Sequence, residues 1–227
     1  MLASRLNPHK DAERVFRTLR EGGTAIVPTS IGYAIVGATS DAIRRTHRAK
    51  GRAPSKYNAF TGSQALHEEI HILDQRAREM VRLLTVDYDL PVGTIAPCRK
   101  DHAIFRTLDA DVYAQSTYQD TAALLLNGGP ILVELGRLSH EHSLGVVGSS
   151  ANLSLRGTKF RVRDIEPEMI AAADEVIDYG LVRWAAYGKS STMIDFQTLT
   201  ATRVGACYDL IADALDRHFG VTLAVQP

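Results

Sequence analysis

The residues best placed for chemistry fall in two short stretches. Lys50-Gly-Arg52 sets an ammonium and a guanidinium on either side of a glycine. That pairing suits phosphate oxygens, because the guanidinium offers planar bidentate contacts and the ammonium a point charge. A helix C-terminus carrying favourable positive charge gives the same pattern with no ligand. The second stretch, Gly145-Val-Val-Gly-Ser-Ser-Ala-Asn-Leu-Ser154, passes from apolar residues into hydroxyl and amide groups. Leu144, Val146 and Val147 read as a short buried strand, and Gly148, Ser149, Ser150 and Asn152 as a turn rich in donors and acceptors. Loops that leave the carboxyl ends of strands hold ligands in α/β proteins, whereas a Ser/Asn turn bonded only to itself is the plainer alternative.

Several familiar chemistries are excluded. Gly148-Ser-Ser-Ala-Asn152 lacks the closing glycine of a nucleophile elbow, so Ser150 is not read as an activated nucleophile. The glycines fit neither a Walker loop nor a G-x-G-x-x-G fingerprint. His140 and His142 stand two apart in an expected loop with no third ligand, and Cys98 and Cys207 lie far apart, so no metal site is expected.

The elements that must position these stretches follow from periodicity. Ala12, Val15, Phe16 and Leu19 share one face of a helix over 11–21, which Gly22-Gly23 ends. Strands are expected at 24–27 and 31–36, then a helix from Ser40, as its cap, to about Ala49. A strand at 58–61, a helix opened by Ser63 and a helix over 74–84 come next. Strands are expected at 91–95 and 103–107, a helix capped by Thr117 running to Leu126, and a strand at 131–135. Asp164 is expected to open a helix, with strands at 176–179, 190–196 and 202–207. The closing helix, 208–219, is expected to bury Leu210, Ile211, Ala214, Leu215 and Phe219. Strands and helices interleave throughout, which favours one α/β layer architecture.

Composition agrees with one globular unit. The chain has 227 residues, 45% hydrophobic and 23% charged, with 26 basic and 26 acidic side chains. No global charge therefore points to nucleic acid or membrane. Locally, Arg44, Arg45, Arg48, Lys50, Arg52 and Lys56 form one basic stretch, and Arg156, Lys159, Arg161 and Arg163 another. No run approaches the ~18 apolar residues of a membrane span, no leader pattern opens the sequence, and two distant cysteines suit a reducing compartment. A cytoplasmic protein is expected, with no membrane partner.

Four pieces, taken in order, resemble a known family. Gly23-Thr-Ala-Ile-Val-Pro-Thr29 with Tyr33, Lys50-Gly-Arg52, Ser150-Ala-Asn-Leu-Ser154, and Ser191-Thr-Met-Ile-Asp195 followed by Arg203-Val-Gly205 are similar to the motifs of YrdC-like proteins, the threonylcarbamoyl-AMP synthases. The resemblance covers about Asp11 to Ala206. It implies an α+β fold with α/β-like layers: a single-domain, twisted mixed sheet with flanking helices and a concave basic groove. The domain is placed over residues 7–207, with a C-terminal helix and tail, 208–227, packed on it.

Functionally, the resemblance implies a nucleotidyltransferase joining bicarbonate, L-threonine and ATP into threonylcarbamoyl-AMP and pyrophosphate, for the t6A modification of tRNA. It places Lys50, Arg52, Ser150, Asn152 and Arg203 around the triphosphate, with Lys50 and Arg52 as the catalytic pair. Thr29, Tyr33 and Ser191 would line the substrate end. Mg2+ would arrive with ATP, through phosphate oxygens more than a protein cage. The family's R-x-P arginine, which helps hold the amino-acid carboxylate, has no counterpart in Asp111–Asp120. The carboxylate is then expected at a helix start formed by Ser116 and Thr117, or at Arg106. The other readings are a non-catalytic double-stranded RNA- or tRNA-binding protein and a diverged carbamoyltransferase with another acceptor.

Overall fold

The computed structural model describes residues 6–52 and 56–226. Helix α1 (Pro8–Arg20) starts where the Asn7 side chain accepts the Lys10 N–H at 3.0 Å and Pro8 fills the first turn. It buries Ala12, Val15, Phe16 and Leu19. Strands β1 (Thr24–Pro28) and β2 (Tyr33–Gly37) form a hairpin whose turn is tied by Thr29, its N–H and hydroxyl both donating to Gly32 O. Helix α2 (Ser40–Lys50) is capped by Thr39, not by Ser40 as expected. The Ser40 hydroxyl instead accepts the Asp109 N–H. Gly51, at φ 56°, ends α2 in the left-handed conformation that glycine takes without strain.

Strand β3 (Ala59–Thr61), helix α3 (Gln64–Ile70), helix α4 (Gln75–Arg82) and strand β4 (Val92–Pro97) follow. The region after β4 departs from the sequence expectations. Residues 103–107 hold a single 3-10 turn, Ala103–Phe105, with Ile104 and Phe105 buried. The helix expected over 117–126 is a hairpin of β5 (Thr117–Tyr118) and β6 (Thr121–Leu126), preceded by helix α5 (Ala110–Ser116). Ala122, Leu124 and Leu126 are buried in alternation with Thr121, Ala123 and Leu125, which is strand periodicity. The strand expected at 131–135 belongs to helix α6 (Pro130–Glu141), whose Ile131, Leu132, Leu135 and Leu138 share the face packed near α1. His140 is therefore on a helix and its Nε2 meets Glu69, 2.6 Å away.

Strand β7 (Val147–Ser150) takes in Gly148, Ser149 and Ser150, so these residues extend the sheet where a turn was expected. A 3-10 turn at Val162–Asp164 precedes helix α7 (Pro167–Ala171), which replaces the helix expected from Asp164. Strands β8 (Glu175–Val176), β9 (Met193–Asp195) and β10 (Thr200–Arg203), helix α8 (Tyr208–Phe219) and strand β11 (Ala224–Val225) complete the order. Helix α8 buries Ile211, Ala214 and Leu215 in the largest core cluster, while Leu210 is 40% exposed, against expectation.

All the strands lie in one mixed sheet, ordered β11-β10-β9-β4-β6-β3-β7-β2-β1-β8, with β5 added to β6. Parallel pairs (β1 with β8, β3 with β6, β4 with β9, β10 with β11) alternate irregularly with antiparallel ones. The largest core cluster packs α3, α4 and α8 against β4 and β6, and a second joins α1 and α6 to β1 and β2. Ala34, Ala59, Ile95, Ala123 and Leu125, from β2, β3, β4 and β6, line a cavity on the sheet. The twisted mixed sheet with flanking helices is thus the expected fold class.

Candidate functional site

The cavity on the open sheet has a volume of about 1100 Å³. Its walls come from opposite ends of the chain: Arg52, Lys56 and Tyr57 after α2, Ser149 and Ser150 on β7, and Ser191 and Arg203 around β9 and β10. Arg52 follows the left-handed Gly51, its N–H closing on His47 O at 3.0 Å. Its guanidinium donates to Ser149 Oγ at 2.8 Å and to Tyr57 O at 2.7 Å, and its buried Nε has no partner among the described residues.

Arg203 approaches from β10. Its Nε donates to Ser191 O at 2.8 Å, and its terminal nitrogen donates to Ser191 Oγ at 2.6 Å. The glycine of Arg203-Val-Gly205 explains its spacing. A Cβ on Gly205 would lie 2.3 Å from Ser190 O and 2.4 Å from the Ser191 carbonyl, so only hydrogen fits where the strands meet. Desolvation lowers the pKa of both guanidinium groups, and the charge of Arg52 lowers Arg203 further. Neither guanidinium has a carboxylate partner among the described residues.

Lys50 is placed differently. It is only 3% exposed and does not line the cavity. Its ammonium donates to Ser150 O, and to Asn152 O at 2.6 Å, while Ser154 N–H donates to Lys50 O. Burial first, then the charge of Arg52, lowers its pKa to about 7. Asn152 is buried beside it, its Nδ2 donating to Leu153 O and its Oδ1 left without a partner. The two stretches singled out in the sequence, Lys50-Gly-Arg52 and Gly145–Ser154, therefore converge, with Arg52 facing the cavity and Lys50 bracing its wall from behind.

The substrate-end residues are only partly gathered. Thr29, Ser116, Thr117 and Ser191 line the cavity. The expected helix start at Ser116 and Thr117 is not present. Ser116 ends α5 and accepts from Asn58 Nδ2 at 3.3 Å, and Thr117 donates to Tyr113 O at 2.9 Å. The dipole at a helix end is unfavourable for a carboxylate, so that argument reverses. Arg106 lies elsewhere, its guanidinium donating twice to Asp101 O. Tyr33 touches the cavity, but its hydroxyl donates to Gly180 O at 2.9 Å, lies 3.1 Å from Asp178 Oδ1 and accepts Tyr179 N–H. Burial pushes that phenol up to about 12.

Sequence reasoning missed Lys56, Tyr57, Asn58, Tyr118 and Asp195 as cavity residues. The available signal was position: Lys56, Tyr57 and Asn58 follow Lys50-Gly-Arg52 directly, and Asp195 closes the Ser191-Thr-Met-Ile-Asp195 element. Three side chains of the two basic stretches are paired with acids. Arg44 is ringed by Asp41, Asp109 and Asp111, Arg45 meets Asp174 at 2.6 Å, and Lys159 meets Glu166 at 2.7 Å. No helix is long and apolar enough to cross a membrane, and no group of three or more metal-ligating side chains is found among the described residues.

No family model matches the sequence, and no curated protein matches it. Solved structures do. Sua5 from P. abyssi, in a crystal structure complexed with L-threonine, superposes with a TM-score of 0.75 at 19% identity, covering 99% of this chain and 61% of that one. A hypothetical protein from Streptococcus mutans, smu.1377c, gives 0.73 at 17% identity with 94% of both chains covered. E. coli YciO gives 0.60 at 18% identity, covering 82% of this chain and 84% of that one. This chain thus spans about three fifths of the Sua5 length. At these identities the likeness is one of architecture, and the chain has the YrdC-like fold of the Sua5 and YciO structures.

Proposed function

We propose that the cavity binds ATP and that the protein makes a carbamoyl-adenylate, with L-threonine as the default acceptor. The observation that carries this reading is the pair Arg52 and Arg203: two guanidinium groups lining one cavity, neither neutralised by a carboxylate among the described residues. Two like charges facing one concave space favour an anionic ligand that bridges them. The L-threonine in the Sua5 crystal structure supports an amino-acid acceptor in the same fold.

The chemistry asks little covalent work of the protein. Bicarbonate and the amine combine, with loss of water, into a carbamate. One carbamate oxygen bonds to the α-phosphorus while the bond to the departing pyrophosphate breaks. Arg52 and Arg203 stabilise charge on the phosphates, and Ser149, Ser150 and Ser191 supply oriented hydroxyls. Mg2+ enters with the triphosphate. Lys50 and Asn152 act from behind the wall, fixing where Ser150 sits.

The test is pyrophosphate release measured with ATP, bicarbonate and each amino acid in turn. Release that needs all three, and that falls in Arg52→Gln, supports the reading. Release that needs bicarbonate but a different amino acid keeps the adenylate chemistry and replaces threonine. ATP binding without release under any combination overturns the enzyme and leaves a nucleotide-binding protein.

A further inference from the structure

Two tyrosines stand at the same cavity with no structural task. Tyr57 is 48% exposed and Tyr118 53% exposed, although both are large rings that proteins of this kind bury or pair. Their centroids lie 5.2 Å apart at an interplanar angle of 65°, so one ring turns its edge to the other and leaves π-faces open. Both line the cavity that holds Arg52 and Arg203.

Both rings are held from behind. The Tyr57 carbonyl accepts the Arg52 guanidinium at 2.7 Å, so the ring and the anion-seeking group share one link. Asn58, the next residue, donates its N–H to Gln115 O at 2.8 Å and its Nδ2 to Ser116 Oγ. Tyr118 follows two residues after Ser116, in the short hairpin where Thr121 Oγ1 donates to Tyr118 O at 2.8 Å. The two segments that carry the rings are thus bonded to each other and to Arg52.

We propose that Tyr57 and Tyr118 form one jaw of an aromatic clamp: the nucleobase of a nucleoside triphosphate whose phosphates lie on Arg52 and Arg203 stacks on an open ring face of the pair, between it and the cavity wall. The assignment rests on the nucleotide reading given above and adds where the base sits. Planar bases stack on tyrosine faces regardless of sequence, and such stacking accounts for a large share of affinity where it occurs. A nucleobase is the planar group that a phosphate chain brings with it. A rigid pair of open rings beside two uncompensated cations matches both halves of that ligand.

The test measures Kd for ATP and for inorganic tripolyphosphate in the wild type, Tyr57→Ala, Tyr118→Ala, Tyr57→Phe, Tyr118→Phe and Arg52→Gln. The expected result is a loss of about tenfold in ATP affinity for each alanine variant, as stacking energies imply. Tripolyphosphate affinity stays within twofold of the wild type in those variants, and both phenylalanine variants retain ATP. Arg52→Gln weakens both ligands. Alanine variants that keep ATP within twofold, or that lose tripolyphosphate as severely as ATP, overturn the clamp while the anion site stands. A wild type that binds neither ligand overturns the nucleotide reading and the clamp with it. Clamp variants that lose a single-stranded oligonucleotide yet keep ATP would reassign the rings to nucleic acid and also overturn the proposal.

Discussion

The Lys50 ammonium lies 2.6 Å from the Asn152 carbonyl oxygen and also bonds Ser150 O, so one side chain fixes the end of β7. Replacing it with Lys50→Met leaves buried carbonyls without a donor, at ~1–3 kcal/mol per group. Thermal melting is expected to drop clearly, where a lysine that only touched ligand would leave it unchanged. The pH dependence has a definite sign. The ordinary lysine value is 10.5 and burial lowers the folded one to about 7, so the unfolded chain binds more protons between these values. Stability from this group is then lowest below about pH 7 and rises towards pH 10.5. Urea unfolding at pH 7 and pH 9 should show that rise in the wild type and its loss in Lys50→Met.

Arg52 and Arg203 repel each other across the cavity, and neither is salt-bridged to a carboxylate among the described residues. Arg203→Gln is expected to weaken ATP binding by the ~1.5–3 kcal/mol of a charge-assisted hydrogen bond, without lowering the melting temperature of the free protein. A slight rise is the favoured outcome, since function-related strain is removed. Calorimetry on free and ATP-loaded protein checks both halves.

Gly205 sits two residues beyond the cavity-lining Arg203, where no side chain fits. Gly205→Ala sets a methyl carbon against the Ser190 and Ser191 backbone, and neither is the free end of a side chain. Overpacking of this kind costs ~1–3 kcal/mol. Loss of ATP binding should accompany the loss of stability, because Ser191 is what orients Arg203.

His67 and His71 share a 2.8 Å hydrogen bond between their Nδ1 atoms, and both Nε2 atoms are buried without partners. Burial holds both imidazoles well below the ordinary 6.5. Their stability is therefore fully present above about pH 6.5 and is lost as pH falls below it. Circular dichroism against pH should show the acid limb moving to lower pH in His67→Leu/His71→Leu.

Because Arg44, Arg45 and Lys159 are already paired with acids, double-stranded RNA should bind weakly. Binding at 50 mM salt is expected to fall by orders of magnitude by ~200 mM if several phosphates are contacted. Gel-shift titration at the two salt levels measures it, and tight salt-resistant binding would favour an RNA function instead.

Helices with clean apolar faces were legible from sequence. The Ala12, Val15, Phe16 and Leu19 spacing marks α1, and Ile211, Ala214 and Leu215 mark α8. Strand β6 was not legible, because Thr121-Ala-Ala-Leu-Leu-Leu126 has no polar alternation: one side enters the core and the other floors an apolar cavity. Helix α6 reads as a strand in sequence because Ile131, Leu132 and Val133 form an unbroken apolar run, while its actual start is marked by Pro130 in the first turn. At the site, residue types pointed to Arg52, Ser150, Ser191 and Arg203. Nothing in Lys50-Gly-Arg52 says that the lysine turns inward to backbone carbonyls while the arginine turns outward. That division depends on the left-handed Gly51, a local helix end, and on where β7 ends, 100 residues from Lys50.

Long-range pairing also governs when the cavity can exist. Thr24 bonds Asp174 across 150 positions, Lys50 meets Ser150 across 100, and Arg52 meets Ser149 across 97. Such separations slow folding, since chain closure precedes the contacts that reward it. During synthesis at ~5–20 residues per second, Lys50 emerges roughly 5–20 s before its carbonyl partners. Until β7, β9 and β10 arrive, the apolar row Ala59, Ala123 and Leu125 has no completed cavity around it. The nascent chain thus carries an aggregation-sensitive interval between the emergence of β6 and that of β10, and ribosome stalling before residue 203 would lengthen it.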